Sequence, residues 1–217
     1  MGSSMRKNFL RCILLFIFYI SSTIAQEIKV IQLPAPQIDT GKVLMQVLKL
    51  RQSSRSFDSR PIPLQDLSNL LWAANGINRQ ESGKRTAPSA MNWQETDIYV
   101  VVPEGTYIYE AKTHCLNPVV AGDLRASTGT QGFVKDAPMN LVYIVDEARI
   151  TKGSDDEKKL YGALDVGFIA QNVYLYCASQ GFAVVVRGSV DRPPLAKLLK
   201  LKPSQRIIAA QTVGYPK

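Results

Sequence analysis

Residues 154–181 constrain this chain more than any other segment. Ser154 is placed to cap a helix, and Asp155, Asp156 and Glu157 bring negative charge to its first turn, where the helix dipole favours it. Gly181 ends the helix, which is expected to run to about Ser179. From Tyr161 to Ala178 it is apolar nearly all round, apart from Asp165, Gln171 and Asn172. A surface helix carries one apolar stripe. One that is apolar on most sides must be covered on most sides, by its own core or by a partner chain.

The remaining elements follow from spacing. A helix is expected from Thr40, where a hydroxyl can cap it, to Arg51, with Val43, Leu44, Val47, Leu48 and Leu50 on its apolar side. Residues 26–40, with Pro34 and Pro36, read as an extended lead-in. Leu64 to Ala74 is a second helix, closed by Asn75-Gly76. Residues 77–96 are polar and loop-like. Asp97 to Val102 and Thr106 to Glu110 read as paired strands, and Met139 to Val145 as a buried strand. Residues 111–135 give no clear pattern. Phe182 to Val186 and Arg206 to Val213 are strands, with a short helix between Pro193 and Lys200. Helices and strands intermix without a β-α-β repeat. The fold class is α+β, a mainly antiparallel sheet flanked by helices.

Residues 1–25 read as an export signal. Arg6, Lys7 and Arg11 form a basic start, Cys12 to Ile20 is an apolar run, and Thr23-Ile24-Ala25 offers small residues for cleavage. The run is shorter than the ~20 residues of a spanning helix. The mature domain is then 26–217, exported to a periplasm, without stable membrane insertion, and membrane-tethered only if the signal stays. Removing the signal takes away three cations and no acids, so the net charge of +8 falls to +5. The basic residues left are scattered rather than striped, which argues against nucleic acid.

The inventory excludes much. One histidine, His114, and three cysteines cannot build a multi-ligand metal site. A Ser-His-Asp hydrolase would have to use His114, which reads as structural. Cys115 and Cys177 stay open as a pair or as two separate thiols. A Walker loop and a GxGxxG fingerprint are both missing.

Three clusters could carry chemistry. In an extended stretch Arg51, Ser53 and Arg55 point one way, because the side-chain period is two. Two guanidinium forks and a hydroxyl so aimed suit a phosphate. The same residues also fit a solvated basic helix end. Pro88-Ser89-Ala90-Met91-Asn92-Trp93-Gln94 combines small residues, which admit a flat ligand, with amides that donate and accept at a ring edge; it also fits a polar loop before a strand. Arg187-Gly188-Ser189 follows a strand, and its glycine either lets a ligand approach the backbone or simply makes a turn.

In this order the pieces resemble the nitroreductase family of FMN flavoproteins. Arg51, Ser53, Arg55 and Phe57 match its Arg-x-Ser-x-Arg/Lys-x-Phe loop, and Pro88 to Gln94 its Pro-Ser-(Ser/Ala)-x-Asn-x-Gln loop. Asp136-Ala137-Pro138 before a buried strand, Gln171-Asn172 in a long helix and the late Val213-Gly214-Tyr215-Pro216 match further motifs. Thr86 to Ala90 and the Gly105 to Tyr109 hairpin look most like the peptide-azoline dehydrogenase branch.

The resemblance implies an intertwined homodimer with two FMN sites at its interface. Arg51, Gln52 and Ser53 would line the phosphate end, and Arg55 the ribityl chain and the N1/O2 edge. Pro88, Ser89, Ala90 and Asn92 would reach the flavin from the second subunit. Gln131 would touch the pyrimidine edge, and Gly188 with Arg187 would bring a backbone N–H near N5. The implied activity is hydride transfer through N5 by a ping-pong mechanism, with no obligatory protein nucleophile or base. NADH or NADPH is the implied donor, and a small nitroaromatic or quinone-like molecule the implied acceptor. Oxidation of a peptide azoline and non-catalytic flavin binding are the alternatives.

Overall fold

The computed structural model describes residues 27–217, so the export segment expected at 1–25 lies outside the described residues. In chain order the elements are β1 (Ile31–Gln32), α1 (Leu44–Leu50), β2 (Phe57–Asp58), α2 (Leu64–Asn75), β3 (Ile77–Arg79), β4 (Lys84–Arg85), β5 (Thr96–Val102), β6 (Gly105–Glu110), β7 (Cys115–Ala121), β8 (Met139–Asp146), α3 (Asp155–Gln180), β9 (Ala183–Arg187), α4 (Arg192–Leu198) and β10 (Gln205–Pro216). Eight strands form one sheet in the order β1-β7-β6-β5-β8-β10-β2, with β9 beside β10. Every pairing in it is antiparallel. The expected α+β class is found.

β8 is apolar on both faces because both are covered. Leu141, Tyr143 and Val145 pack under α2 and α3, with Leu70, Leu71, Val166 and Val173. Val142 and Ile144 pack on the other side, with Leu195 and Leu199 around α4.

α3 starts with a full capping box: Glu157 N donates to Ser154 Oγ and Ser154 N donates to Glu157 Oε2. Gly181 ends it at φ +79, a left-handed position that suits glycine. The helix lies close to the sheet at Gly162, where a Cβ would meet Val145 Cγ1 at 2.9 Å. Its apolar surface divides in two. Gly162, Val166, Ile169, Ala170, Val173, Tyr174 and Cys177 are buried, while Leu160, Tyr161, Leu164 and Phe168 stay exposed on the opposite face.

The first helix differs from expectation. It begins at Leu44, not Thr40, and Val43 occupies the cap without a side-chain bond. Gly41 turns the chain at φ +109, and Lys42 N donates to Ser179 Oγ at 2.9 Å, so 40–43 dock on the end of α3 instead of extending the helix. Thr40 Oγ1 donates to Gln37 O. Of the expected apolar side only Val47 is buried; Val43, Leu44, Leu48 and Leu50 are exposed, as is Met45. Residues 77–96 are also more ordered than expected, since β3 and β4 pair within them. Cys115 and Cys177 are both buried and unpaired.

Candidate functional site

α1 ends at Arg51, and the chain then runs extended beside β9, where Ser54 N donates to Val184 O at 2.9 Å. The period of two holds in this stretch. Arg51 and Ser53 turn toward Tyr174 of α3, while Gln52 and Ser54 line a separate groove with Lys42, Phe182 and Val184. Ser53 Oγ lies 2.8 Å from Tyr174 Oη, and Val186 N donates to the same phenol oxygen at 2.9 Å. The Arg51 guanidinium sits 5.4 Å from the Tyr174 ring centroid, a cation–π distance. One tyrosine hydroxyl therefore joins the first sequence cluster to the strand that leads into the third. Arg55 borders a cavity of about 690 Å³ with Arg125, Lys135, Phe57 and Phe133.

β9 ends at Arg187, whose side chain turns inward and is buried. Its Nε donates to Thr212 Oγ1 at 3.1 Å, Nη1 to Thr128 O at 2.9 Å, and Nη2 to Asn140 Oδ1 at 3.1 Å. All three acceptors are neutral. Burial lowers its pKa to about 10, which leaves the guanidinium charged at neutral pH. Gly129 passes so close that a Cβ there would overlap Arg187 Nη1. Thr130 N donates to Ser189 O, which ties the Gln131 loop to Gly188-Ser189. Gln131 Oε1 is buried without a partner. Gly188 is exposed, and a Cβ on it would meet nothing within 4 Å.

The Pro88–Gln94 loop lies elsewhere. Ala90 N donates to Asp165 Oδ2 at 2.9 Å, and Ser89 Oγ accepts from Gln94 N at 2.8 Å and donates to Glu95 Oε2 at 3.1 Å. Gln94 Nε2 donates to Asn92 Oδ1. Met91, Asn92 and Gln94 hold φ values of +48, +57 and +50, a concentration of left-handed residues that usually marks a functional segment. Pro88, Met91 and Asn92 are exposed. Asp165 and Tyr174 are nine residues apart on α3, which separates the two halves by about 13 Å along the helix at 1.5 Å per residue. The loop and the Arg51–Ser53 segment are thus anchored at different levels of α3, by Asp165 and by Tyr174.

Sequence reasoning missed Tyr174, Glu95 and the role of Asp165. The isolated acid in an apolar helix was the one available signal for Asp165. His114 stands apart, between Ser68 Oγ at 2.7 Å and Tyr109 Oη at 2.9 Å, as a structural residue.

The sequence profile of the Nitroreductase family matches residues 48–215. The chain belongs to the nitroreductase family. A nitroreductase-named protein of Methanocaldococcus jannaschii is 33% identical over 181 residues, 79% of this chain and 90% of that protein. A solved structure from Ralstonia eutropha, described as a nitroreductase, is 43% identical with a TM-score of 0.84, covering 88% of this chain and 90% of its own. The NADPH:FMN oxidoreductase of Vibrio harveyi shares the fold at 21% identity and TM-score 0.61, over 80% of this chain and 69% of that one. As a nitroreductase-family member the protein is an oxidoreductase, and flavin dependence is typical of the family.

Proposed function

We propose that this chain is an FMN-dependent oxidoreductase that works as a homodimer and reduces small nitroaromatic or quinone-like acceptors with electrons from NADH or NADPH. The observation that carries the reading is the Tyr174 hydroxyl, which gathers Ser53 and Val186 of β9, just before Arg187-Gly188, on one side of α3 beside Arg51. A complete site needs the Ser89–Asn92 loop as well, and in one chain that loop lies about 13 Å further along the same helix. A second copy would supply it. The unpartnered apolar residues favour such a pairing: Leu160, Leu164 and Phe168 on α3, and Leu44, Met45 and Leu48 on α1.

The residues present fit the cofactor. Arg51 and Ser53 are a fork and a hydroxyl for a phosphate. The unpartnered Gln131 Oε1 is an acceptor for a ring N–H, and the open face of Gly188 leaves room for a flat ring. Arg187, buried with neutral acceptors only, puts positive charge beneath Gly188, which favours the negative edge of a reduced ring. When bound, the flavin supplies hydride transfer through N5; the chain grips, orients and charges the site. The NADPH:FMN oxidoreductase of Vibrio harveyi, solved with NAD+, supports the choice of donor. The proposal extends to export of 26–217 after removal of 1–25, with the domain tethered if the segment stays.

The test is an absorption spectrum and sedimentation of the purified chain, with Phe168→Glu beside it. The expected result is a yellow dimer, and a variant that becomes monomeric and loses flavin. A parent that is colourless after incubation with FMN, or monomeric with flavin bound, overturns the reading.

A further inference from the structure

Beneath the Ser89–Gln94 loop two acids, Glu95 and Asp165, are buried without an ion-pair partner among the described residues. Glu95 is fully buried and Asp165 is 3% exposed. Ser89 Oγ donates to Glu95 Oε2 and Ala90 N to Asp165 Oδ2, so the two acids converge on adjacent residues of one loop, and Glu95 Oε1 has no donor. The neighbouring charges are turned elsewhere. From β4, Arg85 donates to Gln94 Oε1. From the 147–149 turn, Arg149 donates to Gln94 O and pairs with Asp97 of β5 and Asp146 of β8. Two ionised carboxylates so placed and out of water are too costly to persist. A proton on the orphaned Glu95 oxygen removes both problems.

That proton closes a ring. Gln94 N donates to Ser89 Oγ, Ser89 Oγ to Glu95 Oε2, and Ala90 N to Asp165 Oδ2; a proton between the two acids completes the circuit. The ring encloses the three left-handed residues of the loop and fastens them to α3. We propose that Glu95 is a positioning residue whose single proton, shared with Asp165, latches the Ser89–Gln94 loop to α3, and that loss of this proton releases the loop and weakens the hold on cofactor. The latch stands on the geometry of this chain; its consequence for flavin rests on the proposed function. Burial, with Asp165 beside it, lifts the Glu95 pKa to about 7, so the release falls in the physiological range.

The experiment is amide exchange of the peptide spanning 88–94, read by mass spectrometry from pH 6.0 to 8.5 and corrected for intrinsic rate. It uses the full chain as purified and again after flavin removal. In the parent, protection of this loop is expected to fall about tenfold across the range, one pKa unit's worth. In Glu95→Gln the amide donates to Asp165 in place of the proton, and protection stays level. Flavin release should follow the same titration in the parent and not in the variant. Flat parent protection, or a variant that titrates like the parent, overturns the latch. Should Glu95→Gln not fold, Asp165→Asn, which keeps a donor between the two side chains, carries the same expectation. A titrating loop in a protein that never holds flavin keeps the latch and removes only its functional consequence.

Discussion

The hydroxyl of Tyr174 lies 2.8 Å from Ser53 Oγ, although 121 residues separate them in the chain. The same oxygen accepts the Val186 backbone N–H. Tyr174→Phe leaves that N–H and the serine hydroxyl without their partner. The expected cost is about 0.5–1.5 kcal/mol of stability, the net worth of a hydrogen bond at a half-buried site. Flavin should dissociate faster as well, because Ser53 is no longer fixed to α3 and only the Ser54 N–Val184 O bond holds the Arg51–Arg55 segment to β9. Chemical denaturation and flavin-release kinetics check the two effects.

Arg187 donates to three neutral oxygens drawn from the 125–128 turn, β8 and β10. Arg187→Met keeps much of the volume and leaves Thr128 O without its donor, while Thr212 Oγ1 and Asn140 Oδ1 keep each other at 2.6 Å. A loss of roughly 1–3 kcal/mol in unfolding free energy is expected, since one buried acceptor goes unsatisfied. If flavin is bound, its reduction potential should fall too, as a buried positive charge no longer favours the reduced ring. Calorimetry reads the first effect, and equilibrium reduction against a reference dye reads the second.

His114 supplies a pH prediction. Desolvation lowers its pKa, outweighing the bond near Pro34. The folded ring therefore stays neutral where the unfolded ring has already taken a proton. As pH falls below about 6.5 the unfolded state binds more protons, and stability falls with it. Glu95 works in the opposite sense: its raised pKa means the folded state holds the extra proton between about 4.5 and 7, so stability falls as pH rises through that window. Melting curves in the Glu95→Gln background should isolate the histidine. His114→Asn, which suits the φ of +49, should then flatten the acid limb.

Much of the framework was readable one residue at a time. The cap at Ser154, the stop at Gly181 and the apolar run of Met139–Val145 are local signals, and the structure carries all three. Residues 111–135 gave nothing because their order is borrowed. Pro118 interrupts the alternation of β7, yet it fits where that strand has no β1 partner, since β1 pairs only with Cys115 and Leu116. Thr40 failed as a cap because Ser179, far along the chain, captures the next turn.

The order of residues alone specified which segments coil or extend, and which short motifs bear guanidinium, hydroxyl and amide groups. Those properties depend on neighbours within a few positions, so they survive without a fold. The meeting of Tyr174 with Ser53, the inward turn of Arg187 and the burial of Glu95 and Asp165 beneath Ser89 and Ala90 came only with three-dimensional packing. Each joins segments dozens of residues apart, and burial, which sets their charge states, has no meaning until the sheet and α3 close over them.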